Sequence, residues 1–464
     1  MLRLHDTATG TVSELELRTP GEVSMYVCGP TVYDAPHLGH GRFSLVFDVL
    51  RRYLVFGGLE VNYVSNITDI DDKVIERAAE RGTGTEELAQ RYEAVWWGAM
   101  DALGVLRPDE IPHATAYVAR MVEVIGELMS RQVAYETSDG VYLSVDQVPG
   151  YGLLARQPLE SLRSGARVEA LEEKRSPLDF VLWKKAKPGE PTWESPWGPG
   201  RPGWHTECVV MSLDLLGDGF DLHGGAIDLI FPHHENERAQ AVALGRDFAH
   251  HWVHNGWVTV DGEKMSKSLG NFTSLDDLLA RSDARAYRLL VLRSHYRSPI
   301  EVTPETVVDA EAGLSRLDEL ARQYHPLDPL ADGPVVEGQG VAQNLDAEAV
   351  SRFRDRMDDD LDTPGALAGV FELVRRANRV SDDGDTATAT RLATTVAVLC
   401  GALGLALATG GTEEIDAETA SIVAERDAAR AAGAWPRADE LRDRLVSRGW
   451  VVEDSAEGTR VRRQ

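Results

Sequence analysis

Cysteine is scarce: the 464-residue chain has three, Cys28, Cys208 and Cys400. An odd, sparse set argues against a disulfide framework and fits a reducing compartment. Long apolar runs are also missing, since no stretch approaches the roughly 20 residues of a membrane span. The opening MLRLHDTATG lacks the apolar core of a secretion signal. These absences lead to the expectation of a cytoplasmic protein with no membrane partner. Basic residues are in deficit, 48 against 75 acidic, for a net charge of −27. Proteins that bind nucleic acid usually carry a basic footprint, so overall charge points away from that class, and any such role would need a local patch.

What is present reads as several domains. Ser24–Cys28 has the pattern of a short strand, followed by a Gly/Pro/His-rich turn to Gly41 and an apolar helix over Phe43–Phe56 that Gly57-Gly58 closes. Val61–Val64 reads as the next strand. Strand, phosphate-type turn, helix, strand is the opening of a doubly wound, parallel-sheet nucleotide-binding fold of Rossmann type. Helical patterns follow over Thr85–Leu103 and Thr115–Gln132, then a hairpin in YETSDGVYLSV and a Pro/Gly/Trp-rich stretch, Pro188–Trp204. The α/β alternation resumes at Asp221–His223, with a helix expected to begin near Pro232, a residue suited to a first helical turn. Thr303-Pro304-Glu305 reads as a helix start, His325–Asn344 and Ala408–Glu413 as linkers, Ala347–Leu407 as a helical bundle segment holding Cys400 in its core, and Trp450–Arg463 as a terminal hairpin. The expected fold class is therefore α/β. The expected organisation is a Rossmann-type catalytic domain (1–113 and 201–250) carrying a connective insertion (114–200). A loop and stem-contact region (251–315), a helical bundle (316–410) and a small mixed α/β domain (411–464) follow.

Two motifs suggest phosphate chemistry. In His37-Leu38-Gly39-His40, Gly39 lets backbone approach a ligand between two imidazoles, and the N-terminus of the following helix favours anions. Such a site suits the polyphosphate of ATP, although paired loop histidines are often merely exposed. In Lys264-Met265-Ser266-Lys267-Ser268, two lysines on a Gly-containing loop can meet the charge that grows on a leaving pyrophosphate. A solvated basic loop is the bland alternative for the lysines taken alone.

Together, HLGH and KMSKS resemble the paired signature of class I aminoacyl-tRNA synthetases. MYVCGPTVYDAPHLGHGR, NITDIDDK, DFVLWK, GRPGWHTEC, FPHHENE and HYRS narrow the resemblance to the cysteinyl-tRNA synthetase family over the whole chain. That resemblance implies ATP-dependent activation of L-cysteine to cysteinyl-adenylate and its transfer to tRNA(Cys). His37, His40, Lys264 and Lys267 would be catalytic, with ATP held by His37, Gly39, His40 and Lys267 and accompanied by Mg²⁺. It further implies one Zn²⁺ per chain on Cys28, Cys208, His233 and Glu237. Cys28 is expected at a strand end and Cys208 in a distant loop. His233 and Glu237, four apart, would share a helix face. His234 and Glu235 are adjacent competitors that spacing does not exclude. Two thiolates, an imidazole and a carboxylate make a tetrahedral zinc set; four protein ligands usually mean a structural ion, whereas the family uses zinc to take the substrate thiolate as a further ligand.

By the same resemblance, Thr31, Thr68, Trp204 and His223 line the cysteine pocket, and Arg430, Trp435 and Asp439 contact the anticodon. Each has a structural alternative: a turn hydroxyl, a strand threonine, a core tryptophan and a capping histidine for the first four, and a helix-corner core position for Trp435. Arg460, Arg462 and Arg463 supply the local basic patch. A monomer with no editing domain is expected. The rivals are a cysteine ligase of mycothiol synthesis, which shares the adenylation chemistry but lacks the last segment, and a degenerate zinc-dependent RNA-binding paralogue.

Overall fold

The structure, a computed structural model, describes residues 2–157, 173–260, 263–264, 274–331, 333–409, 416–455 and 458–463. At its centre lies a four-stranded parallel sheet. β1 (Glu22–Val27) pairs with β2 (Glu60–Ser65) on one side and β3 (Leu222–Ala226) on the other, and β4 (His251–Asn255) extends the sheet beyond β3. β1, β3 and β4 are buried along nearly their whole lengths. Such burial is expected of parallel strands covered on both faces; in β3 and β4 it encloses His223, His251 and His254 as well as apolar side chains.

Helix α1 (Leu38–Phe56) joins β1 to β2 and is buried almost all round. It begins five residues before the expected Phe43, so the HLGH motif is the helix N-terminus itself rather than a loop ahead of it. His37 caps the helix: its Nδ1 accepts from the His40 backbone N–H, and the His37 N–H donates to Nδ1 of His40, both at 3.2 Å. The apolar period begins at Phe43 because the first turn carries the histidines and glycines, which hid the true start.

Between β2 and the later strands the chain forms the helix Val118–Ser130 and a four-stranded antiparallel sheet, Ala134–Glu136, Gly140–Leu143, Phe180–Lys185 and Gly200–Pro202. Its first two strands are the hairpin read from YETSDGVYLSV. Helix α2 (Trp204–Leu216) and helix α3 (Glu235–Ala243) return the chain to the core sheet. α3 starts three residues later than Pro232 suggested: Phe231 is extended (φ −137°, ψ 131°), and a single wide turn, Ile230–His234, leads into the regular helix. The residue before a proline is pushed out of the helical region, so a proline near a helix start can mark an interruption instead.

After β4, Val258–Val260 pairs with Glu263–Lys264 and, in parallel, with Ile300–Glu301. Four long helices follow: Pro304–Tyr324, capped by Thr303, Ala347–Met357, Thr363–Asp382 and Thr386–Ala402, whose Cys400 is fully buried as expected. One hydrophobic core runs from α1 and the sheet into these helices. Residues 1–407 form one compact unit and residues 408–464 a second. The second unit comprises Ala417–Ala431, Trp435–Ser447 and an antiparallel hairpin, Trp450–Ser455 with Gly458–Arg463, closed over Ile422, Leu441, Leu445 and Trp450. Among the described residues, no helix is long and apolar enough to cross a membrane.

Candidate active site and metal centre

Open parallel sheets bind ligands beyond the carboxyl ends of their strands. Here a cavity of about 300 Å³ sits at that edge, walled by Cys28–Thr31 after β1, Ala226–Leu229 after β3 and Asn255–Val258 after β4. His37, Gly39 and His40 at the start of α1 close one side, and Trp204 closes another. The two motif imidazoles stack 3.7 Å apart, and the edge of His40 meets Trp96. Of the expected cysteine-pocket residues, Thr31 and Trp204 reach the wall.

Thr68 and His223 lie just behind it. The Thr68 hydroxyl donates to Glu207 Oε2 at 2.8 Å, and His223, fully buried, meets Glu237 Oε2 at 2.7 Å.

Behind Cys28, which lines the cavity, Cys28, Cys208, His233 and Glu237 bring one ligand atom each to within 4.8 Å of one another, all buried. The Cys28 and Cys208 sulfurs are 3.5 Å apart, Cys28 Sγ is 3.4 Å from Glu237 Oε1, Cys208 Sγ is 3.6 Å from His233 Nε2, and His233 Nε2 is 2.9 Å from Glu237 Oε1. Donors arranged tetrahedrally at zinc–ligand distances lie about 3.3–3.8 Å apart, so the cluster has the size and donor chemistry of a zinc site. Cys208 does not come from a loop, as expected from sequence, but from the second turn of α2, on the same face as Trp204. The helix escaped notice because CVVMS is buried all round and shows no polar face. Trp204 in turn stacks on His233 with ring centroids 4.0 Å apart.

The electrostatics match a cluster built around a cation. Burial pushes the Cys28 thiol well up, and its hydrogen bond to Cys208 and the nearby Glu237 carboxylate add to the shift. Burial opposes ionisation of Cys208 too, but the Cys28 thiol and His233 overcome it and bring Cys208 to about 6. Burial would also raise Glu237, yet His223 and His233 hold it well below the usual carboxylate range. His233, against its own burial, is raised to about 10 by Glu237 and Cys208. Anionic donors thus share protons where a divalent cation would satisfy them all.

Geometry separates the adjacent candidates in FPHHENE. Glu235 Oε2 accepts from the Leu154 and Ala155 backbone N–H groups at 2.7 and 3.2 Å, and so serves the chain rather than the cluster. His234 pairs with His254 at 2.8 Å, yet it also falls in a second possible ligand group with Cys28, His223 and Glu237. Asn66, within NITDIDDK, carries no signal in the sequence for the part it plays here. The Asn66 side-chain oxygen accepts from the Gly29 N–H at 2.9 Å and the Tyr26 hydroxyl at 3.1 Å, and its amide donates to Thr68 Oγ1 at 3.1 Å. A side chain on Gly29 would meet the Asn66 backbone oxygen at 1.6 Å, so only glycine fits beside Cys28.

Lys264 lies in the short strand opposite Thr259. Lys267, with the rest of KMSKS, lies outside the described residues. Arg430, Trp435 and Asp439 belong to the second unit. Trp435 is 60 % exposed, which answers the helix-corner alternative, and Asp439 is exposed while Arg430 is half-buried.

Comparison with known proteins adds three matches along the chain. Residues 14–312 match the catalytic domain of class I (C) tRNA synthetases, residues 352–408 the DALR domain, and residues 412–462 the cysteinyl-tRNA ligase anticodon binding domain. A cysteine–tRNA ligase of Halorhodospira halophila is 46% identical over 100% of both chains, and one of Thioalkalivibrio sulfidiphilus is 47% identical, again over 100% of both. The chain belongs to the cysteinyl-tRNA synthetase family. This confirms the resemblance carried by the motifs and makes the chain a class I aminoacyl-tRNA synthetase by family. Among solved structures, the methionyl-tRNA synthetase of Mycobacterium tuberculosis in complex with methionyl-adenylate aligns with a TM-score of 0.59 at 17% identity, over 82% of this chain and 89% of the other. At that identity the likeness speaks for the fold alone, a class I synthetase catalytic architecture.

Proposed function

We propose that the chain joins L-cysteine to tRNA(Cys) in two steps, adenylation by ATP and transfer to the terminal adenosine, working as a cytoplasmic monomer. The observation that carries this reading is the buried Cys28–Cys208–His233–Glu237 cluster, whose Cys28 lines the cavity that the HLGH helix bounds. The cysteine carboxylate attacks the α-phosphate, the bond to the β-phosphate breaks, and pyrophosphate leaves. His37 and His40, at the N-terminus of α1, stabilise the charge on the phosphoryl group with Gly39 admitting it closely, while Lys264 and Lys267 meet the pyrophosphate. Mg²⁺ accompanies ATP. Positioning and electrostatics supply the rate, with no covalent enzyme intermediate.

Cys28, Cys208, His233 and Glu237 would hold zinc. Bound there, the ion supplies a soft acceptor for the substrate thiolate that the serine hydroxyl and the alanine methyl cannot match. Trp204 packs on His233 and, with Thr31, confines the substrate side chain. Thr68 and His223 fix the groups behind the wall. Arg430, Trp435 and Asp439 read the anticodon, with the exposed indole suited to stack on an unpaired base. The domain limits follow the same division of labour: adenylation over 1–113 and 201–250, the insertion over 114–200, the lysine loop and stem contacts over 251–315, the bundle over 316–410 and anticodon recognition over 411–464.

Labelled cysteine offered with tRNA and with an amino sugar–inositol in parallel tests the reading. Transfer to tRNA alone is expected, since residues 412–462 match an anticodon-binding domain; transfer to the sugar would install the mycothiol-type ligase instead. Lys267→Ala should depress cysteine-dependent ATP–pyrophosphate exchange far more than cysteine binding, and unchanged exchange would refute the loop's part.

A further inference from the structure

Arg42 stands two residues beyond the second motif histidine on α1, and at 1 % exposure it is among the most buried large side chains of the molecule. Among the described residues its guanidinium hydrogen-bonds only to backbone carbonyls. One terminal nitrogen donates to Trp257 O. The other donates to Tyr296 O at 3.0 Å and to Ser298 O, with His295 O at 3.4 Å. Nε has no partner. Burial lowers this guanidinium to about 10, and no carboxylate is among the groups that counter the shift. Burying a cation without a counter-anion is unfavourable, and a structural role alone could be filled by an apolar side chain.

The carbonyls belong to two segments that lead into neighbouring strands of the small sheet holding Lys264. Gly256, Trp257 and Val258 leave β4, wall the cavity beside His37 and His40, and continue into the strand that pairs with Glu263–Lys264. His295–Ser298, the HYRS motif, precedes Ile300–Glu301, which pairs with the same strand. The segments are pressed together: the Gly256 N–H donates to Tyr296 O at 2.8 Å, the Ile300 N–H to Trp257 O at 3.0 Å, and any side chain on Gly256 would meet Arg297 O at 2.6 Å. One planar fork on the HLGH helix therefore ties together the starts of Val258–Val260 and Ile300–Glu301, the first of which pairs with the strand that carries Lys264.

We infer that Arg42 is a positioning residue for adenylation, setting the spacing between the phosphate-binding start of α1 and the root of the lysine loop. This rests on the adenylation reading above. A guanidinium can serve several carbonyls from one rigid fork, whereas an ammonium at the same place is a single point charge on a flexible stem.

The test is steady-state ATP–pyrophosphate exchange on the full chain with Arg42→Lys and Arg42→Ala, alongside cysteine KM and bound zinc. Misplacement by about an ångström costs about 100-fold in rate, and a loss of that order in kcat is expected for Arg42→Ala, with cysteine KM and zinc content unaltered. Arg42→Lys should fall between, and methylguanidinium added to Arg42→Ala should recover part of kcat. If the alanine variant does not fold, Arg42→Lys carries the same split of kcat from KM. Exchange within about two-fold of the unsubstituted protein would overturn the inference. So would a joint collapse of kcat, cysteine KM and zinc content without methylguanidinium recovery. Absence of exchange in the unsubstituted protein would remove the adenylation reading itself, and the inference with it.

Discussion

Single side chains decide whether the cluster holds a metal. Cys208 lies 3.5 Å from Cys28 and 3.6 Å from His233, so its sulfur closes the set from α2. Cys208→Ser replaces a soft donor by a hard, poorly ionised one. Purified Cys208→Ser is expected to contain well under one zinc per chain by elemental analysis and to lose its preference for cysteine over serine; full occupancy with normal discrimination would remove Cys208 from the site. The neighbouring acids should part company. Glu235 bonds the Leu154 and Ala155 amides, so Glu235→Gln should keep zinc, whereas Glu237→Ala should lose it. Equal zinc content in these two variants would contradict the geometry. At this scale the sequence was partly readable. His233 and Glu237 announce themselves by spacing, but Cys28 and Cys208 meet only through the sheet, and nothing local links them. Arg42 was invisible for a different reason, since its partners are backbone carbonyls, which leave no trace in residue identity; Asn66 was invisible because Tyr26 and Gly29 reach it only through the pairing of β1 with β2.

At the scale of elements, the HLGH helix is held by a buried charge group on its far turns. Asp48 Oδ2 accepts from Arg52 at 2.9 Å and from Arg288, on the Ala284–Leu292 helix, at 2.6 Å, while Oδ1 accepts from the Leu106 N–H at 2.9 Å. Arg288 reaches on to Leu103 O at 3.0 Å and Leu403 O at 3.2 Å, so one carboxylate organises the contact of α1 with two other segments and the end of the helical bundle. Burial alone would raise Asp48, but Arg288 and Arg52 override it and hold the carboxyl below its ordinary 3.8. A depressed carboxyl adds stability above its unfolded pKa and loses it as pH falls through the folded value. Asp48→Asn leaves two buried guanidiniums without their anion and should cost about 3–5 kcal/mol in denaturant unfolding at neutral pH. The gap between variant and parent should narrow below about pH 4. A variant as stable as the parent at neutral pH would show the group to be dispensable. Elements with strong periodicity or punctuation, such as the Thr303-capped helix and the YETSDGVYLSV hairpin, were legible beforehand. α2 and the starts of α1 and α3 were not, because a helix buried all round, or interrupted before a proline, lacks the pattern that sequence reading depends on.

At the scale of the molecule, residues 1–407 and 408–464 are separate compact units, each with its own apolar core. The catalytic-domain match, residues 14–312, falls in the first, and the anticodon-binding match falls in the second. A chain ending at Leu407 should keep cysteine-dependent ATP–pyrophosphate exchange while its aminoacylation of tRNA falls sharply. Loss of both together would show that the units do not divide the reaction in this way. The overall acidity, with a net charge of −27, is no guide to a tRNA partner because charge is summed over the surface, whereas such a partner needs only a local basic patch.

The central claim is that a zinc-held thiolate selects the substrate. The most direct measurement is ATP–pyrophosphate exchange with cysteine and with serine, run on protein of known zinc content. The account predicts one zinc per chain and a kcat/KM preference for cysteine of about 10⁴ or more, lost as zinc is withdrawn by chelation. Comparable exchange with serine, or undiminished cysteine selectivity in zinc-free protein, would contradict it.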